Sequence, residues 1–224
     1  MVEASHAARA GTQTIVRRLG RVEYEPTWRA MQRFTDARDP STPDEIWLLE
    51  HPPVFTLGLG ADERHHIHDI GVPLIRIDRG GQITYHGPGQ ILAYLLLDLA
   101  RRSIGVRELV RRMEQAVIEL LAGYGIAAAR RSGAPGVYVG QAKIAALGLR
   151  IRRGCCYHGL ALNADMDLAP FAAIDPCGHP GLAVTSLAEL GVRATPAEAG
   201  EALLRALQRT LDAEGYRERE THDS

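Results

Sequence analysis

Between Leu74 and Leu97 three short apolar runs follow one another with no helix-length segment between them. Leu74–Ile77, Gln82–Tyr85 and Ile91–Leu97 are separated by Gly80-Gly81 and by Gly87-Pro88-Gly89. Gly-Gly and Gly-Pro-Gly mark tight turns, so the spacing predicts strands joined directly to one another. Strands in direct succession imply a mixed or antiparallel sheet rather than an alternating β-α-β fold.

The flanking segments add strands and helices. Thr14–Leu19 and Glu45–Glu50 read as strands, separated by a helix near Thr27–Ala37 that puts Trp28, Met31 and Phe34 on one face. Leu109, Val110, Met113, Ala116, Val117, Leu120 and Leu121 form one helical stripe, which Gly123 and Gly125 end. Gly136–Val139, Lys143–Ile151 and Tyr157–Leu162 read as strands with turns at Gly140 and Gly154. The C-terminal part reads as helical: first Thr185–Leu190, then a helix capped at Thr195-Pro196 and running to about Ala213. The fold class is α/β in the α+β sense: a single domain over residues 12–216 with a mixed or antiparallel sheet and flanking helices, between flexible ends at 1–11 and 217–224.

A chain of 224 residues can bury most of its apolar surface in one core without disulfides or metal. Lys plus Arg number 26 against 27 Asp plus Glu, a balance that argues against nucleic acid as partner. Arg101, Arg102, Arg107, Arg111 and Arg112, and separately Arg150, Arg152 and Arg153, are either solvated faces or a docking surface for an acidic protein. Three cysteines, two of them adjacent, suit a reducing compartment and leave room for one reactive thiol. Met1–Thr12 lacks the apolar core of a signal peptide, and Ile91–Leu97 is too short to span a membrane. The expectation is a cytoplasmic protein with no membrane partner.

Three segments carry donors, bases or nucleophiles. In Arg79–Gln90 five of twelve residues are Gly or Pro. Glycine lets backbone N–H groups approach a ligand, and Arg79, Gln82, Tyr85, His86 and Gln90 supply more hydrogen-bonding capacity than a plain pair of turns needs. Lys143 lies among small and apolar residues, where a lysine either extends its head to water or loses solvation and becomes a usable base. Cys177, between Pro176 and Gly178, is either a buried inert thiol or a nucleophile presented on a turn. His179 could be its base, with Asn163 or Asp165 orienting the imidazole. His65, His66 and His68 lack acidic or thiol ligands at matching spacing and read as a solvated loop, so no metal is expected. Cys155 and Cys156 on one strand point to opposite faces and read as structural.

His51-Pro52-Pro53, RGGQITYHGPGQ, KIAALGLRIRRG, YHGLALNADMDL and the Pro-Cys-Gly at Cys177 together resemble the lipoyl(octanoyl) transferase family, the octanoyl-acyl carrier protein:protein N-octanoyltransferases. The resemblance runs from about Glu45 to Leu190. It implies the fold of biotin and lipoate protein ligases and a catalytic dyad of Cys177, the acyl-thioester nucleophile, with Lys143. It further implies substrate contacts from Arg79, Gly80, Gly81, Gln82, Ile83, Thr84, Tyr85 and His86, from Ala146, Leu147 and Gly148, and from Gly159, Leu160 and Ala161. The implied reaction moves an octanoyl group from octanoyl-acyl carrier protein to a lysine ε-amino group, in protein lipoylation and lipoate biosynthesis. Acceptors would be lipoyl domains of 2-oxoacid dehydrogenase complexes and the glycine cleavage H protein. No cofactor is expected, because the acyl group arrives already activated on the phosphopantetheine of the carrier protein, and the enzyme would act as a monomer. The Cys177–His179 pairing stays open beside the dyad. The rival functions are an ATP-dependent lipoate or biotin protein ligase, a cysteine hydrolase and a non-catalytic binding module.

Overall fold

The computed structural model describes residues 14–61, 68–174 and 182–212. The expected flexible ends at 1–11 and 217–224 therefore lie outside the described residues, as do His65, His66, Cys177 and His179. Nine strands form two sheets among the described residues. The larger has the order β1 (Ile15–Arg21), β2 (Glu45–Glu50), β6 (Gln90–Asp98), β9 (Cys155–Asn163), β8 (Ala142–Arg152), β7 (Val137–Val139). Its β1–β2 pair is parallel and the remaining pairs are antiparallel, so the sheet is mixed, as the direct succession of strands implies. A smaller sheet holds β3 (Val54–Leu57) between β4 (Leu74–Arg76) and β5 (Ile83–His86).

Helices cover both faces of the larger sheet. Against one face pack α2 (Val106–Gly123) and α3 (Pro196–Asp212), which bury Leu109, Met113, Val117, Leu203 and Leu207 on Ile91, Leu95, Leu160 and Leu162. The stripe on α2 is the one its apolar spacing predicts. On the other face, α1 (Tyr24–Asp36) buries Tyr24, Trp28 and Met31 on Trp47, Leu92, Tyr94 and Tyr157. Thr195 and Glu198 form a reciprocal cap at the start of α3: the Glu198 N–H donates to Thr195 Oγ1 at 3.3 Å, and the Thr195 N–H to Glu198 Oε2 at 2.9 Å. No helix among the described residues is long and apolar enough to cross a membrane.

Two local expectations change. Thr185–Leu190 is not a helix. Val184 bridges Lys143 in parallel, and Leu187–Gly191 is a turn in which the Leu190 N–H donates to the Ser186 carbonyl. The six-residue segment is tied to β8 through the Thr185 N–H on the Lys143 carbonyl, which competes with helical hydrogen bonding. Conversely, Val54–Leu57 is a strand with every residue buried, and its lack of alternation hid it.

A carboxylate anchors the end of the sheet remote from the glycine-rich turns. Asp44, fully buried, meets Arg38 at 2.6 Å, Arg101 at 2.7 Å and Arg102 at 2.6 Å. Burial alone would raise its pKa. The Asp98 backbone N–H and the Arg102 and Arg101 guanidiniums outweigh that and hold it below the usual carboxylate range.

Candidate active site

The two sheets enclose a cavity of about 140 Å³, mostly apolar in lining. Strands β8 and β9 form one wall, with Ala146, Leu147 and Gly148 paired to Ala161, Leu160 and Gly159. The Arg79–Thr84 turn closes the side towards the smaller sheet. Lys143 sits at one end, beside Pro135, Leu182 and Val184. Only 8% exposed, its Nζ donates to the Pro135 carbonyl at 3.3 Å and lies 5.3 Å from the Tyr138 ring centroid. The backbone at Gly136 has φ +140°, and a Cβ there would meet Lys143 Cε at 3.0 Å and the Ala145 carbonyl oxygen at 2.8 Å. Glycine at 136 is therefore what lets the chain pass close over the lysine.

Arg79 reaches into the cavity through a slot between glycines. Its Nη2 donates to the Thr56 carbonyl at 2.8 Å and to Thr56 Oγ1 at 2.9 Å. A Cβ on Gly58 would approach Arg79 Nη1 to 2.8 Å. Below the guanidinium, buried polar groups form a connected series. His86 Nδ1 lies 2.7 Å from Gln90 Oε1, Gln90 Nε2 donates to Asn163 Oδ1 at 3.0 Å, and Asn163 Nδ2 donates to the Thr185 carbonyl at 2.9 Å. Thr185 in turn donates its N–H to the Lys143 carbonyl at 3.0 Å. The series couples the glycine-rich turn to the strand that carries Lys143. The Asn163 amide is engaged with Gln90 and Thr185.

Further from Lys143 along β9, level with the Gly148–Gly159 pair, stand Tyr94 and His158, and Tyr24 and Leu92 also line the cavity. His158 Nε2 lies 3.3 Å from Asp78 Oδ1. Asp78 also accepts from Trp28 Nε1 at 2.8 Å, from Gln32 Nε2 at 3.1 Å and from the Tyr157 hydroxyl. Burial would raise the Asp78 carboxyl, but these donors hold it well below the usual range. Burial pushes His158 down, against the opposing pull of Asp78, and pushes His51 down to about 4 and His86 to about 3.

The catalytic-domain model of the lipoyl protein ligase A/B family matches residues 23–208. An octanoyltransferase of Aromatoleum aromaticum is 64% identical over 203 residues, covering 90% of this chain and 88% of its own. One of Dechloromonas aromatica is 62% identical, covering 88% and 97%. The chain belongs to the lipoyl(octanoyl) transferase family. As a member of that family it is an acyltransferase. The fold extends to more distant proteins: a putative lipoate protein ligase of Thermoplasma acidophilum superposes with TM-score 0.72 at 17% identity, covering 89% of this chain and 85% of that one. A biotin protein ligase of Aquifex aeolicus superposes with TM-score 0.55 at 13% identity, covering 88% and 70%.

Of the residues that the transferase resemblance assigned to substrate, Arg79, Gly81, Gln82, Ile83, Thr84, His86, Ala146, Leu147, Gly148, Gly159, Leu160 and Ala161 all line this cavity, with Lys143. Gly80 and Tyr85 do not. The Gly80 N–H donates to the Leu149 carbonyl at 2.9 Å, and Tyr85 turns into the smaller core against Phe55 and Phe171. Cys177 lies outside the described residues, between Ile174 and the cavity-lining Leu182. His68, the described member of the histidine run, joins no metal-binding group, and no group of three or more His, Cys, Asp or Glu among the described residues could hold a metal. Cys155 and Cys156 are buried and free. Sequence reasoning missed Asp78, whose partners come from positions 28, 32, 157 and 158.

Proposed function

We propose that this acyltransferase takes an octanoyl group from the phosphopantetheine thioester of acyl carrier protein and places it on a lysine ε-amino group of a lipoyl domain, through a thioester on Cys177. The acceptors are lipoyl domains of 2-oxoacid dehydrogenase complexes and the glycine cleavage H protein. The observation that carries the reading is Lys143, buried at one end of an apolar cavity whose other walls come from the glycine-rich turn and the β8–β9 pair. Such a cavity suits an alkyl chain, and a lysine at its end suits proton transfer at the acyl carbon. The octanoyltransferase names of relatives above 60% identity support the acyl group.

In the first half-reaction Lys143 accepts the Cys177 thiol proton and the thiolate attacks the donor carbonyl. The tetrahedral intermediate collapses with departure of the phosphopantetheine thiolate, which takes the proton from the Lys143 ammonium. In the second half the acceptor amine attacks the acyl-cysteine thioester, Lys143 accepts the amine proton, and the Cys177 thiolate leaves and takes that proton from the Lys143 ammonium. Each half exchanges one acyl bond for another, so no nucleotide is consumed.

The test is a transfer assay onto an isolated lipoyl domain with either octanoyl-acyl carrier protein or free octanoate as donor, each with and without ATP and Mg²⁺. Transfer from the thioester alone supports the proposal. Strict ATP dependence with free octanoate as donor would install the ligase reading instead.

A further inference from the structure

His158 breaks the alternation of β9. Cys156, two residues earlier, packs into the core beneath α2 and α3, and Tyr157 packs on the opposite, α1 side. Regular alternation would send His158 after Cys156. Instead its φ is +62°, a left-handed backbone that a non-glycine residue adopts only when its surroundings hold it there. The imidazole therefore lies on the α1 side, stacked on the Tyr157 ring at 5.1 Å and bonded to Asp78. A strained, 2% exposed histidine turned out of its strand's core face into a cavity is an observation that calls for a role there.

Its position along the cavity supplies one. Lys143 lies five residues from Gly148, whose pairing partner Gly159 is the neighbour of His158. At about 3.3 Å per strand residue, the two ends are roughly 16 Å apart. We propose that His158, braced by Asp78, is the end wall of the acyl cavity and sets the longest acyl chain the enzyme accepts. The inference rests on the reading that the acyl carbonyl reacts beside Lys143, which directs the chain's methyl end towards His158. An added methylene there meets an imidazole that cannot swing away. Its partner Asp78, a half-buried carboxylate, is fixed from behind by Trp28, Gln32 and Tyr157, and displacing the imidazole strips it of one of its donors.

The test compares His158→Gly and His158→Asn with the wild type. Glycine adopts the left-handed backbone freely and removes the wall. Asparagine tolerates the same backbone and keeps a polar group facing Asp78. Acyl-enzyme formation is followed with octanoyl, decanoyl and dodecanoyl carrier protein. Binding of the matching pantetheine amides, which cannot react, is followed by calorimetry. The expected result is a rise of at least about tenfold in the dodecanoyl-to-octanoyl ratio of His158→Gly, the lower end of what a fitted apolar pocket exerts for a single methylene, with His158→Asn near the wild-type ratio. A purely structural role would lower all chain lengths together, and parallel losses or an unchanged ratio in both readouts would overturn the proposal. If no octanoyl thioester forms on the wild type while the amide-binding ratio still shifts in His158→Gly, the end wall stands and the transfer mechanism falls.

Discussion

Gly148 and Arg79 meet with no room for a methyl group between them: a Cβ on Gly148 would lie 2.9 Å from Arg79 Cδ and 3.3 Å from the Gly80 carbonyl oxygen. The guanidinium end is held on Thr56, so the side chain cannot yield by rotating its tip. The cavity wall and the glycine-rich turn are thus fitted to each other through one arginine.

Gly148→Ala is accordingly expected to damage transfer more than folding. Gly148 does not have a positive φ, so alanine costs no backbone strain there. The methyl group displaces Arg79 and the turn beside the acyl cavity. Misplacement of this kind lowers rates by up to about 10²-fold. Steady-state transfer kinetics alongside thermal unfolding check it, and a variant with wild-type kcat/KM would contradict the fit.

Lys143→Arg keeps a cation but removes a group able to accept a proton near neutral pH. Transfer should fall by about 10²–10⁴-fold, the range assigned to a positioned general base. Circular dichroism should show the fold retained. If Lys143→Ala is mild and His179→Ala is crippling, the cysteine–histidine pairing is the correct one.

How much of this was legible beforehand differs from residue to residue. The α2 stripe and the Thr195-Pro196 cap were plain, because both are local: helical periodicity and a cap within one turn need no tertiary information. The cavity lining was legible through the family resemblance, which assigned Gly148 and Gly159, two positions where a Cβ would collide with its neighbours. Asp78 left no such trace. An aspartate beside an arginine looks like an exposed turn until α1 and β9 bring Trp28, Gln32, Tyr157 and His158 around it. Thr185–Leu190 misled for the opposite reason, because its local pattern was helical while pairing with Lys143 decided its conformation.

Acid should destabilise the fold between about pH 6.5 and 4. His86 and His51, whose folded pKa values are pushed by burial to about 3 and about 4, stay neutral in the fold but take up protons when unfolded. The unfolded state thus binds more protons in that window. Stability is complete above the unfolded histidine pKa and is lost as pH falls towards the folded values. Urea midpoints across the window should decline steadily, and His86→Gln should flatten the slope whatever its stability at neutral pH. A flat wild-type profile would contradict the buried neutral state.

Asp44→Ala should cost about 3–5 kcal/mol, because it leaves three guanidiniums around a buried vacancy. Arg18→Ala, which breaks the surface pair with Glu201, should leave the denaturation midpoint nearly unchanged. Equal effects of the two would show that burial is not what gives Asp44 its weight.

Burial raises the Cys155 thiol and pushes that of Cys156 up to about 12, which disfavours the thiolate at both. Acyl transfer is therefore assigned to Cys177, and the decisive experiment is intact-mass spectrometry after incubation with octanoyl-acyl carrier protein, without acceptor or ATP. The expected result is a single octanoyl adduct, labile to hydroxylamine, mapped to Cys177, absent from Cys177→Ser and retained in the Cys155→Ala and Cys156→Ala variants. An unmodified wild-type protein, with acyl transfer persisting in Cys177→Ser, would contradict it.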